Sequence, residues 1–198
     1  EMCIRDRFGN QAFRLKYPKV PIFGHDEMHK LIQIGEGRAF LAMLMRMTKG
    51  AVKGTEEVPP DRRAAHAEEL SFGGIALRIH YQPKAHSHSD IMIELPAHKV
   101  LFLGDNVMMN RLGQMDGATF SGNIAAIDMA LATESEVFVP GHGKTGGRQV
   151  PETYRNYLTL LKEQVAAFYD EGLSDFEMKP KVCLLYTSPS PRYRYISR

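Results

Sequence analysis

Apolar residues fall in short runs separated by glycine, proline and charge, and their spacing changes along the chain. Lys19 to Phe23 (KVPIF) is a brief strand-like run that delivers Gly24 and His25. Asp26 is placed to cap a helix predicted from about Glu27 to Lys49, loosened in the middle by Gly35 and Gly37. Gly50 to Ala67 is polar, Pro59-Pro60 forces extended backbone within it, and the segment reads as a surface loop. Glu69 to Phe72, Gly73-Gly74 and Ile75 to Tyr81 spell two strands about a tight turn. Asp90 to Leu95, a Pro96-Ala97-His98-Lys99 turn and Val100 to Leu103 form the clearest hairpin. Asn110 to Gly122 reads as loop, and Ser121 to Thr133 as a helix with Ile124, Ile127, Ala130 and Leu131 on one face. Glu136 to Val139 has the character of a buried strand. Val150-Pro151 opens a last helix to about Glu171, with Tyr154, Leu158, Leu161, Val165 and Phe168 at helical spacing, and Gly172 stops it. Paired strands followed by helix, strand and helix predict a layered α/β domain with helices on outer sheet faces. The order alone does not separate a sandwich from a single sheet.

The two ends lack this patterning. Glu1 to Arg7 has no periodicity, and Cys183 to Arg198 (CLLYTSPSPRYRYISR) offers no face to bury. Both resemble translated sequencing-adaptor read-through, which confines the expected domain to residues 8–182 and makes 1–7 and 183–198 non-native tails. A disordered basic tail is the other reading. The choice changes the charge. The chain has 25 basic and 23 acidic residues, a net +2. Setting aside Arg5, Arg7, Arg192, Arg194 and Arg198 with Glu1 and Asp6 leaves 20 basic and 21 acidic residues. The basic excess therefore belongs to the ends and gives no argument for nucleic acid. Both cysteines, Cys3 and Cys183, lie in the ends as well, so no disulfide or thiolate-metal argument remains. No apolar run approaches a membrane span, since Leu41 to Met47 is short and carries Arg46, and the first residues lack a secretory-signal pattern. The compartment stays open.

Three strand-end segments carry the chemistry: His86-Ser87-His88-Ser89-Asp90, Gly104-Asp105-Asn106 and Pro140-Gly141-His142-Gly143. Each follows or closes an apolar run, and side chains at strand ends converge on one rim of a sheet. His86, Asp105 and His142 are therefore candidate ligands of Zn²⁺ or a related divalent ion, and three ligands leave a coordination position open for hydrolysis. Each has a plainer reading: a carboxylate paired with Arg111 or a lysine, or a turn histidine bonded to backbone. The glycines beside His142 are expected to clear space for its ring.

These segments resemble the second half of the metallo-β-lactamase fold superfamily, from roughly Val20 to Lys179. The resemblance implies a metallo-β-lactamase-like αββα sandwich in which His86 binds a first metal, Asp105 bridges two metals and His142 binds the second. It also implies that Asp90 supports the motif turn. Ser87, His88 and Ser89 depart from the usual Thr-Pro-Gly, leaving His88 as an extra imidazole, a substrate contact or an exposed surface histidine. The superfamily's His-X-His-X-Asp-His signature occurs nowhere in the chain; His25-Asp26-Glu27-Met28-His29 does not match it. The expectation is an incomplete domain, its opening strands and first ligand motif missing.

For the intact domain the resemblance implies a metal-dependent hydrolase, with two zinc ions (iron or manganese as options) and Asp105 orienting the nucleophile. Its substrate would be a small molecule with an ester, thioester, lactone or lactam bond. Asn106, Asn110, Arg111 and Asn123 lie in or near loops that could touch substrate, each with a turn or cap role as the alternative. A diiron redox protein and a non-catalytic scaffold of the same fold are the competing readings. No nucleic-acid or membrane partner is expected, and the oligomeric state is unknown.

Overall fold

The computed structural model describes residues 6–109 and 117–184. Within them a five-stranded sheet runs in the order β3 (Glu69–Phe72), β4 (Ile75–Tyr81), β5 (Ile91–Leu95), β6 (Val100–Met108), β7 (Val137–His142). The neighbours from β3 to β6 are antiparallel, whereas β7 is parallel to β6. Gly73 and Gly74 both have positive φ, 58° and 84°, the backbone that a two-residue hairpin turn needs to match strand twist. The parallel step requires a crossover, and α4 (Phe120–Leu131) lies within it. Thr119 caps that helix by accepting from the Gly122 N–H at 2.9 Å.

Strand alternation sorts the sheet into two faces. Met92, Leu101, Leu103 and Phe138 point to one face and pack with Ala126, Ile127 and Ala130 of α4 and with Tyr154 and Leu158 of α5 (Gln149–Asp170). Each large side chain buried there contributes about 1.5–3 kcal/mol, so this layer is the main core. Ile79 and Ile91 point to the opposite face and form a smaller cluster with Ala64, Phe23, Leu70, Tyr81 and Ile93. That side carries α1 (Asn10–Lys16) and a pair of short parallel strands, β1 (Phe23–Gly24) and β2 (Arg62–Arg63). An apolar cleft of about 310 Å³ lies there, lined among others by Phe13, Ile22, Phe72 and Leu77. The mixed α/β class expected from the sequence is the class observed. No helix among the described residues is long and apolar enough to cross a membrane.

Several boundaries differ from the sequence reading. The helix expected over Glu27 to Lys49 is two helices, α2 (Asp26–Gln33) and α3 (Glu36–Met47). Gly35 breaks it with a left-handed φ of 82°, whereas Gly37 stays inside α3, buried. Of Lys19 to Phe23 only Phe23 enters a strand, because Pro21 has no N–H to contribute to a ladder. The loop of residues 50–67 contains β2. β6 continues past Leu103 to Met108: Gly104, at φ 56°, shifts the register against β7 instead of ending the strand. Asp105 thus lies inside a strand, not beyond its end. α1, and α6 (Asp175–Leu184) after Gly172, had no periodic signal, and α6 runs two residues past the expected boundary at 182. Cys3, Asn110 and Arg111 lie outside the described residues.

His25, not Asp26, caps α2: its Nδ1 accepts from the Glu27 N–H at 3.3 Å. Burial pushes the His25 pKa below its ordinary value of 6.5, against the nearby Asp26 and Glu27 carboxylates, which raise it. The fold therefore favours the neutral ring, and the contribution is complete above the unfolded value and lost as pH falls below it. The thermal midpoint is expected to drop as pH falls below 6.5. His25→Asn, which keeps a capping acceptor without a titrating ring, should flatten that drop in circular-dichroism melts at fixed ionic strength.

Candidate metal centre

β4 ends at Tyr81, and after a short connection Ala85 inserts fully buried beneath α4, so the following residues are held at the sheet rim. His86 is buried there, and its backbone N–H donates to Asn106 Oδ1 at 3.1 Å. Its ring Nδ1 lies 2.6 Å from Asp90 Oδ2, and Ser87 Oγ donates to the other oxygen, Oδ1, also at 2.6 Å. Ser87 Oγ in turn accepts from the Ser89 N–H at 3.2 Å. A carboxylate accepts and does not donate, so it places the imidazole proton on Nδ1 and makes Nε2 the nitrogen a metal would use. Asp90 thus engages both the His86 ring and the Ser87 hydroxyl within the turn.

Asp105 is buried in β6, and its Oδ1 is 3.3 Å from Nε2 of His142, whose side chain is 38% exposed at the end of β7. The β6–β7 ladder brings them together, because Gly104 pairs with Pro140 and Met108 with His142 across the register shifts. The flanking glycines also make room for groups on β6 and just after it. A Cβ on Gly141 would stand 2.2 Å from Asp105 Oδ1, so the missing side chain makes room for the carboxylate. A Cβ on Gly143 would meet Met109 Cβ at 2.4 Å, and its φ of 107° also demands glycine.

Asn106 and Asn123 are scaffold. Asn106 accepts from His86 as above, donates through Nδ2 to the Leu103 carbonyl at 3.3 Å, and its own carbonyl accepts from Asn123 Nδ2 at 2.8 Å. Both side chains are buried, so they tie α4, β6 and the His86 turn together instead of facing a substrate. His88 is exposed with its ring against the backbone of Gly117, where a Cβ would come within 2.2 Å of Nε2. Sequence reasoning missed Ser87, Gly141 and Tyr81, whose hydroxyl donates to the His88 carbonyl at 3.0 Å. Only Ser87, three residues before Asp90, carried a readable signal.

Of the three candidate ligands the fold brings Asp105 and His142 into contact and anchors His86 to the residue next to Asp105. Two imidazoles and a carboxylate, one imidazole held by a further carboxylate, fit a divalent ion in donor chemistry. The number gathered falls short: among the described residues no group of three or more His, Cys, Asp or Glu side chains is placed to hold a metal.

A family model described as the metallo-beta-lactamase superfamily matches residues 7–142, a span that contains all three candidates. No curated protein matches the sequence. Among solved structures, a metallo-beta-lactamase from Pontibacter korlensis is similar with a TM-score of 0.56 at 20% identity, over 78% of this chain and 64% of that one. The metallo-beta-lactamase IND-7 is similar with a TM-score of 0.58 at 16% identity, over 78% of this chain and 63% of that one. A metallo-beta-lactamase family protein from Thermus thermophilus gives 0.55 at 18%, over 75% and 56%. At these identities the likeness is one of fold, and the chain spans less than two thirds of the length of each.

Proposed function

The chain belongs to the metallo-beta-lactamase superfamily, and from that premise we propose that it carries part of the metal centre of a metal-dependent hydrolase, with His86, Asp105 and His142 as ligands. The observation that supports this most is the contact between buried Asp105, inside β6, and half-exposed His142, at the end of the adjacent β7, 3.3 Å apart. When bound, the ion supplies Lewis acidity, which polarises a scissile bond and makes water more acidic. We take it to be zinc, two per intact domain, with iron and manganese also suited to these donors. The chain's own residues do the rest. Asp90 sets the tautomer of His86, Asn106 fixes where that turn sits against β6, and Asp105 orients the attacking water. An ester, thioester, lactone or lactam in a small molecule presents the same demand for charge stabilisation, and we propose a substrate of that class.

Because only two of the three donors touch and no third joins them among the described residues, zinc is expected to bind weakly and hydrolysis to be slight. Calorimetric titration of the full chain with zinc should show a weak event, abolished by Asp105→Ala and weakened about ten-fold or more by His142→Ala, as removal of one ligand requires. Tight binding of two ions would overturn the expected shortfall. Metal content unchanged in His142→Ala would overturn the ligand assignment. It would favour a second reading, to which the absence of a three-donor group among the described residues gives weight: a non-catalytic scaffold in which His86, Asp105 and His142 serve turns and hydrogen bonds.

A further inference from the structure

We propose that Tyr81 is a positioning residue for the turn that presents His86, coupling that turn to the segment that carries β1, β2 and α2. Its functional meaning rests on the metal-centre reading above, while the mechanical link rests on contacts of its own. Tyr81 closes β4, five residues before His86, and both ends of its side chain are engaged. The ring stacks on His25, centroids 3.6 Å apart and planes at 17°. The hydroxyl donates to the His88 carbonyl, in the middle of the turn, at 3.0 Å. Its backbone N–H donates to His66 Nδ1 at 3.1 Å. His25 itself is fixed as the cap of α2, and His66 follows β2 by three residues. Segments distant in sequence thus meet on one residue at the rim.

The turn has no regular backbone ladder to hold it. Its inner side is secured by the buried contacts of His86, Ser87 and Asp90, and Tyr81 secures the outer side. Burial raises the phenol pKa above its ordinary 10.0, so the hydroxyl stays a donor at neutral pH. The bond to His88 is exposed, so water can replace it and the global cost of losing it is small. What its loss changes is how long the turn stays closed, and with it the presentation of His86. A structural role alone would lower stability without singling out this turn.

Tyr81→Phe keeps the stacked ring and removes only the hydroxyl; Tyr81→Leu removes both. Amide hydrogen exchange of Ser87 to Asp90 in the full chain, and zinc affinity measured against a chromophoric chelator, separate the roles. Tyr81→Phe is expected to speed exchange at those amides about two- to ten-fold and to weaken zinc by a similar factor, while the thermal midpoint moves by no more than about 4 °C. Tyr81→Leu should exceed it in both. Unchanged exchange in the turn, exchange raised evenly across the sheet, or faster exchange with unaltered zinc affinity would each overturn the proposal. If the unsubstituted chain binds no zinc, the metal-centre reading fails, and faster exchange confined to the turn in Tyr81→Phe upholds the positioning of the turn by itself.

Discussion

Gly141→Ala is expected to leave the chain folded and to cost it most of its metal affinity. The added Cβ would lie 2.2 Å from Asp105 Oδ1, 2.6 Å from the Gly104 carbonyl carbon and 2.8 Å from the Asp105 backbone nitrogen. Two of those atoms are backbone of β6 and the third belongs to the candidate ligand, so no flexible chain end can swing aside. The conformation of Gly141 is not the obstacle, because its φ is not left-handed. The penalty is steric, in the range of about 1–3 kcal/mol for overpacking, which for a chain this size lowers the midpoint by roughly 2–12 °C. The carboxylate must turn or β6 must retreat from β7, and either separates Asp105 from His142. Zinc affinity should fall about ten-fold or more. Gly9→Ala is the control: its Cβ meets nothing within 4 Å and its φ is −67°, so stability should stay within about 0.5 kcal/mol and metal binding should not change. Native zinc affinity in Gly141→Ala would remove Asp105 from the ligand set.

The requirement at Gly141 was beyond the reach of the sequence, although Pro140-Gly141-His142-Gly143 was conspicuous in it. Residue types announce chemistry: imidazoles and carboxylates beside glycines after apolar runs stand out, and alternation over Ile75 to Tyr81 or the Gly73-Gly74 turn is a local signal that tertiary structure did not override. What a glycine makes room for is set by the strand opposite, here β6. The length of β6 was hidden for a related reason. Gly104-Asp105-Asn106 reads as a turn by polarity, yet the parallel ladder to β7 carries the strand to Met108, and Asp105 and Asn106 are buried by partners the local sequence does not contain. Gly35 and Gly37 look alike in sequence, and only the left-handed backbone at Gly35 distinguishes a helix break from a tolerated glycine. Asn106, Asn123 and Tyr81 act on or through backbone groups of the site, so nothing in their spacing marks them.

Asp90→Ala is expected to be among the most destabilising single substitutions in the chain. The carboxylate is almost wholly buried and serves two donors, the His86 ring and the Ser87 hydroxyl, at 2.6 Å each. Alanine strands both away from water, at about 1–3 kcal/mol for each unsatisfied group, against a total stability of about 5–15 kcal/mol for a domain. The midpoint should fall on the order of 10 °C, well beyond the effect of truncating a surface carboxylate. Asp90→Asn separates stability from orientation. The amide has one acceptor oxygen where the carboxylate has two, so it can hold the His86 Nδ1 proton only by turning its NH₂ toward Ser87 Oγ, which can accept. Most of the stability should return, whereas the electrostatic bias toward the Nδ1-protonated tautomer weakens. Imidazole nitrogen shifts in isotope-labelled protein report that tautomer directly. A mixed population in Asp90→Asn, together with weaker zinc binding at near-native stability, would show that the carboxylate acts on the metal centre through His86. A single Nδ1-protonated form with unchanged zinc affinity would reduce Asp90 to a partner for two buried donors.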